Sequence, residues 1–284
     1  MKEELMMGGQ AVIEGVLMKG KNSYSVAVRL PNGKIKLKKE RLKSLTVQHK
    51  FFNSVFIRGV IILFEMLIMG YKALTWSADQ QEDGEDEKLS AWHIALTTII
   101  SILITVVIFV FVPFYLAKIV FSPPSIAFNI LDGIFRLGIF IAYVGFISLF
   151  KDVRRLFQYH GAEHMAVHCY EAKLPLTVKN VRKFSTIHPR CGTSFIMYVL
   201  IVSIIVFSFI KFELWYVNLP IRIIALPVIA GISYELLRIS SGLGRAFGWL
   251  SLPGRLVQKI TTQKPNDAQI EVSITSLKSV LSND

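Results

Sequence analysis

Between His160 and Cys191 the sequence gathers four of the chain's six histidines and both of its cysteines, Cys169 and Cys191. Glu163, Glu171 and Arg190 lie among them. The run YHGAEHMAVHCYE, Tyr159 to Glu171, reads as a helix. At about 100° per residue, His160, His164, His168 and Glu171 then fall within roughly 80° of one another, a polar stripe on one face. His160-Gly-Ala-Glu163-His164 has the form H-x-x-E-H. Histidines at i and i+4 can aim both imidazoles at one Zn²⁺, and the adjacent glutamate can act as general base on water there. Inverted zincins use this order. The expected ligands of a divalent metal, zinc by this pattern, are His160 and His164, completed by His188 or Cys191 from the run His188-Pro189-Arg190-Cys191. Glu163 is the expected general base. Arg190 suits a phosphate or carboxylate on a substrate, which a guanidinium grips bidentately. His168 and Glu171 extend the stripe as further candidates. Glu235 is another, because inverted zincins take a third ligand from a distant downstream glutamate. The plainer reading of the histidines is a set of interfacial polar groups making hydrogen bonds. Cys169 fits a small packed residue turned away from the stripe.

The composition says where such a site would sit. Of 284 residues, 52% are hydrophobic, yet the net charge is +12. Several apolar runs approach the length that crosses a bilayer, which excludes an ordinary soluble protein. A basic excess in such a chain predicts loops held at the cytoplasmic side against anionic lipid. Nucleic acid is not the expected partner, since no aromatic-and-basic RNA motif and no DNA-reading helix is visible. Two cysteines make no disulfide framework, and reduced thiols facing the cytoplasm are expected. The opening MKEELMMGGQ is not a signal peptide, because it carries acids and no apolar core follows.

The fold class expected is mainly α: a polytopic helical bundle of four spans plus one interfacial or re-entrant helix, with a small N-terminal β-containing cytoplasmic module. Residues 1–50 form that module, with a Gly-rich opening around a short strand and a hairpin in which SYSVAVRL and KIKLKKERL flank Pro31-Asn32-Gly33. Glu14 sits in the opening without an obvious local partner and reads as a solvated strand residue. Residues 51–76 are apolar, but Arg58, Glu65 and Lys72 recur on one helical face, so an interfacial or re-entrant amphipathic helix is predicted. An acidic linker covers 77–91. A transmembrane hairpin at 92–150, with Arg136 facing the bundle interior, precedes the site region at 151–193. A second hairpin at 194–237 carries Trp215 and Tyr216 at an interface. The tail, 238–284, is expected to hold a strand and a short helix within QIEVSITSLKSVL.

Loop charge sets the topology. If 51–76 spanned, the loop bearing Lys151, Arg154, Arg155, Lys179, Arg182, Lys183 and Arg190 would lie outside with the basic tail, against the positive-inside bias. With four spans both termini and that loop are cytoplasmic, leaving only Lys118, Lys211 and Arg222 on the far side.

GGQAVIEGVLMKG, YHGAEHMAVHCYE, HPRCGTSF, GISYE and TTQKPNDAQIEVSI resemble, in that order, the YqhQ-like family of bacterial membrane proteins. That family is a domain of unknown function described as a predicted metal-dependent enzyme. The resemblance covers nearly the whole chain and implies a bacterial inner-membrane location. By position it singles out Glu14, His160, Glu163, His164, His188, Arg190 and Cys191. Where the family tends to have Thr-Thr-x-Glu-Pro, this chain has Lys264 before Pro265. Two functions are expected. One is a membrane-embedded metal-dependent hydrolase acting at the cytoplasmic face on a lipid-linked or membrane-bound substrate. The other is a non-enzymatic membrane scaffold or chaperone with a structural metal or histidine cluster. The expected partners are lipids of an anionic leaflet, with a membrane protein or a second copy of the chain.

Overall fold

In the computed structural model the described residues are 7–42, 44–81, 91–123, 125–210, 214–242, 249 and 251–282. Four strands, β1 (Gly8–Val12), β2 (Gly15–Lys19), β3 (Ser23–Arg29) and β4 (Ile35–Arg41), form an antiparallel meander in chain order. The predicted hairpin is β3–β4, with Gly33 in the left-handed region at φ 82°. The Gly-rich opening supplies two further strands. β2 and β3 are buried along nearly their whole length because both faces are covered: Val16, Met18 and Ala27 face one side, Leu17, Val26 and Val28 the other.

A short helix α1 (Leu45–Gln48) and a 3₁₀ turn (Lys50–Asn53) lead into α2 (Ile57–Asp79). The second half of α2 closes one face of the sheet through Met69 and Ala73. Two of the stripe's three charges are paired. Arg58 meets Glu235, while Glu65 accepts from Ser44 Oγ (2.8 Å) and from the Leu45 N–H (2.7 Å), holding the start of α1. Residues 82–90, most of the predicted acidic linker, lie outside the described residues.

Next come α3 (Ala91–Val106), a five-residue π turn (Val107–Phe111) and α4 (Val112–Val120), which run on as one rod. Pro113 lacks the N–H that would bond back into the preceding turn, which accounts for the widened step. Then follow α5 (Ile126–Ile147), α6 (Lys151–Glu171), α7 (Val178–Val181), α8 (Gly192–Ser208), α9 (Trp215–Gly242), α10 (Leu252–Thr261) and α11 (Asp267–Leu281). Among the described residues, three helices are long and apolar enough to cross a membrane: Ala95–Val120, Ile126–Ile147 and Tyr216–Ser240. The remaining expected span is the shorter apolar helix α8.

The C-terminal segment corrects the sequence reading. QIEVSITSLKSVL is one helix, not a strand and a short helix. Its β-branched residues alternate as in a strand, but a capping box fixes a helical start: Gln269 N–H donates to Asn266 Oδ1, and Asn266 N–H donates to Gln269 Oε1 (both 2.9 Å). Ile270, Ser273, Leu277 and Val280 then form a buried helical face. That face packs on the sheet and on α6, sharing a core with Val16, Met18, Tyr159, Ala162 and Met165. The N-terminal sheet, α6 and the C-terminal helix are therefore one body, although the chain between β4 and α6 contains two of the three long apolar helices.

Candidate metal centre

Helix α6 buries one side against the sheet and α11, and presents its histidines to a second layer made by 186–191 and 258–263. Gly161 permits the approach, because a Cβ there would collide with the Gln263 carbonyl oxygen. The Gln263 N–H donates to the Phe157 carbonyl (2.9 Å), tying the two segments together. The contact sets the tautomers. His160 Nδ1 lies 2.8 Å from the Thr261 carbonyl oxygen, and His164 Nδ1 lies 2.5 Å from that of Thr186. A carbonyl only accepts, so both Nδ1 atoms carry the hydrogen, and in each neutral ring Nε2 keeps its lone pair. The rings stand 4.5 Å apart edge to face, and His160 Nε2 is 3.2 Å from Cys191 Sγ. Ligand atoms of His160, His164 and Cys191 lie within 4.8 Å of one another. Metal-binding histidines are typically oriented in this way, the second nitrogen donating to a carbonyl.

Cys191 is the N-cap of α8, with the Thr193 N–H at 3.4 Å and the Thr193 hydroxyl at 3.1 Å from its sulfur. The loop leading to it is held by Gln258 of α10, which is fully buried. Gln258 Oε1 accepts from the His188 N–H (2.8 Å), and its amide donates to Ser194 Oγ (3.1 Å). His188 does not join the first group. Its Nδ1 accepts from the Arg190 N–H (3.2 Å), and its Nε2 points to Glu171 Oε2 (3.3 Å). His168, Glu171 and His188 make a second group, one turn along α6. Arg190 pairs with Glu171 there, and His168 Nε2 donates to the Ile187 carbonyl (2.9 Å). The stripe read as one site is thus two adjoining groups. The second closes the His188–Cys191 loop onto α6.

Glu163 is buried beneath the first group, with Oε2 at 3.5 Å from His164 Nε2. Burial pushes its carboxyl above the usual range, against the opposing pull of His160, His188 and the Gly9 backbone. Burial also lowers the His164 pKa, with Cys191 and the Thr186 carbonyl pulling the other way, so the neutral, ligand-ready ring is favoured. For Glu171 burial acts upward, but His188 and Arg190 outweigh it and hold the carboxylate below its usual range. Strand β1 packs on Glu163 closely: a Cβ on Gly9 would meet Glu163 Cγ at 3.0 Å as well as the Leu17 carbonyl. The second glycine of the chain's first motif, Gly9, therefore serves the site. Two nitrogen lone pairs and a thiol converging at this spacing suit a tetrahedral zinc-type ion.

A family model described as "Protein of unknown function (DUF1385)" matches residues 55–283. The chain belongs to the DUF1385 family. It is similar to "Uncharacterized protein YqhQ" of Bacillus subtilis (strain 168), 33% identical over 296 residues covering 96% of this chain and 92% of that protein. No solved structure matches.

Two expected residues of the DUF1385 chain lie elsewhere. Glu235 gives both carboxylate oxygens to Arg58, at 2.7 Å from Nε and 2.5 Å from the terminal nitrogen. Glu14 is not a solvated strand residue. It sits in the β1–β2 turn at φ 51° and binds Arg155 and the Tyr159 hydroxyl (3.1 Å), fastening the sheet to the stretch of α6 that leads directly into the histidines. Cys169 is buried away from both groups, with its sulfur 3.7 Å from the Pro175 carbonyl. Reading the sequence missed Thr186, Thr261 and Gln258. The first two act through backbone carbonyls, which any residue carries, so no side-chain signal marks them. Lys264 is exposed beside this segment.

Proposed function

We propose that this DUF1385 protein is a membrane-embedded hydrolase dependent on a divalent metal, zinc by its donor set. His160 Nε2, His164 Nε2 and Cys191 Sγ would hold the ion, and it would supply Lewis acidity toward a carbonyl or phosphoryl group and toward water. The observation that carries this reading is the pair of Nδ1–H···O=C contacts, which leave two imidazole lone pairs beside one thiol. Glu163, against His164 and screened from solvent, is the residue to accept a proton from the attacking water and pass it to the leaving group. Thr261 and Thr186 keep the imidazoles in register, and the Glu171–Arg190–His188 group keeps Cys191 there. The substrate is lipid-linked. An apolar cavity of about 250 Å³ between α5, α8 and α10 is lined by Ile141, Met197, Leu252, Leu256 and Ile260. Its wall α10 also carries Gln258 and Thr261.

Glu163→Gln is expected to keep the fold and the metal while lowering turnover by about 100-fold or more, in line with general-base losses. Turnover is read as new products by mass spectrometry when zinc-loaded protein is mixed with bacterial lipid extract. The rival is a scaffold with a structural ion, favoured by how little of His164 and Glu163 is exposed (2% and 4%). X-ray absorption separates the two. Three protein ligands plus an exchangeable water fit the hydrolase, and four protein ligands overturn it.

The topology completing this proposal has four spans in a bacterial inner membrane. Both termini and the site are cytoplasmic, and 51–76 dips into the bilayer without crossing. Its support is that α2 turns from α9 onto the sheet, while Phe64, Leu67, Ile68 and Tyr71 stay exposed along one stripe. Single cysteines at Ser122, Thr177 and Ser282 provide the test in a background without the native cysteines. In intact cells an impermeant thiol reagent should label position 122 and spare 177 and 282. Labelling at 177 would place the site outside.

A further inference from the structure

A second set of chemistry-bearing side chains lies at the opposite end of the bundle, where α5 and α9 begin. Asp132 is buried, at 4% exposure. Its Oδ2 takes both Nε and a terminal nitrogen of Arg136 (3.1 and 3.0 Å). Its Oδ1 is also buried and makes no hydrogen bond among the described residues. Arg222 of α9 donates to Asn218 Oδ1 (2.8 Å) and across to Asn129 Oδ1 on α5 (2.9 Å), and its guanidinium lies over the Phe207 ring, 5.1 Å from the centroid. All of these partners are neutral. The described residues therefore place two guanidinium charges and one carboxylate in an apolar bundle, where an uncompensated ion is costly.

Depth follows from helix geometry. Asn129 and Asn218 are the fourth residues of α5 and α9, so the Arg222 guanidinium sits about 5 Å along each axis from its start. That is the level of a headgroup layer, not of the bilayer centre. A ligand completing the cluster must bring a negative charge for Arg222 and a hydroxyl donor for Asp132 Oδ1. A choline headgroup has no such donor.

We propose that Asp132, Arg136 and Arg222, with Asn129 and Asn218, form a binding site for a hydroxyl-bearing phosphate ester such as a glycerol phosphate group. The phosphate meets Arg222, and a hydroxyl donates to Asp132 Oδ1. The site is separate from the histidine centre and stands whether or not a metal binds there. The group could come from phosphatidylglycerol in the bilayer or from free glycerol phosphate.

Native mass spectrometry of the full chain, released from detergent after addition of phosphatidylglycerol, phosphatidylcholine or glycerol 3-phosphate, tests the idea. Phosphatidylglycerol is expected to be retained more than about tenfold better than phosphatidylcholine, and Arg222→Gln should remove that preference. Arg154→Gln, at an exposed position on α6, should leave it intact. Competition by millimolar glycerol 3-phosphate assigns the site to the free ester, and its failure assigns it to the lipid. Equal retention of both lipids by the wild-type chain overturns the proposal, even if Arg222→Gln does not fold. So does a folded Arg222→Gln protein that still prefers phosphatidylglycerol.

Discussion

Replacing His164 by alanine should yield a protein that leaves purification without its metal, while the wild-type chain, prepared without chelator, carries about one zinc-like ion. His164 supplies one of three convergent donors, and its Nδ1–H is already fixed on the Thr186 carbonyl. Removing one donor from a three-donor set forfeits roughly 3–4 kcal/mol of a binding energy of about 10–16 kcal/mol, so affinity should fall more than ~100-fold. Burial of His164 means that the alanine variant also loses packing. Cys191→Ser is therefore the gentler companion: oxygen replaces sulfur at the α8 N-cap, where serine is itself a good cap. It should lower affinity with little change in thermal stability. His168→Ala separates the two groups. It leaves His160, His164 and Cys191 in place, so the ion should remain. Elemental analysis and isothermal titration with zinc read all three variants. A wild-type protein that is folded and metal-free would sink the metal centre, and loss of the ion in His168→Ala would mean that the two groups act as one.

How much of this could be read from the chain itself depended on whether the information was local. The polar stripe of α6 was legible because helical periodicity alone puts His160, His164 and His168 on one face. The β3–β4 hairpin was legible because Asn32-Gly33 is a turn with a backbone reason. What sequence could not supply was the second layer. Thr261 and Thr186 contribute carbonyls, so only the fold reveals them. His188 was expected beside His160 and His164, but the fold sets it with His168 and Glu171 in a second group that could itself hold an ion, its Nδ1 accepting from the Arg190 N–H and its Nε2 facing Glu171. The C-terminal helix was misread for a different reason. Ile270, Val272 and Ile274 alternate as in a strand, and that pattern is overruled by the Asn266–Gln269 capping box and by a core that accepts the helix on two sides. Asp132 went unremarked in the sequence reading, although it is the acid that accounts for Arg136.

Glu235 is the residue on which motif and structure part most clearly, and it provides the second large effect. Arg58 and Glu235 meet in a bidentate pair between α2 and α9, with side chains only 16% and 15% exposed. Pairs this sheltered are costly to break on one side, because the remaining charge loses its partner without regaining water. Arg58→Ala or Glu235→Ala should each cost roughly 3–5 kcal/mol, whereas the double variant should recover part of that loss by leaving neither charge stranded. Thermal unfolding in detergent across the cycle gives the coupling. The same three proteins decide the role of Glu235 through their metal content. A carboxylate that serves α2 docking leaves zinc affinity unchanged in Glu235→Ala, and Arg58→Ala destabilises just as much. If Glu235→Ala instead strips the ion while Arg58→Ala retains it, Glu235 reaches the metal in the working protein and the centre has a fourth protein ligand.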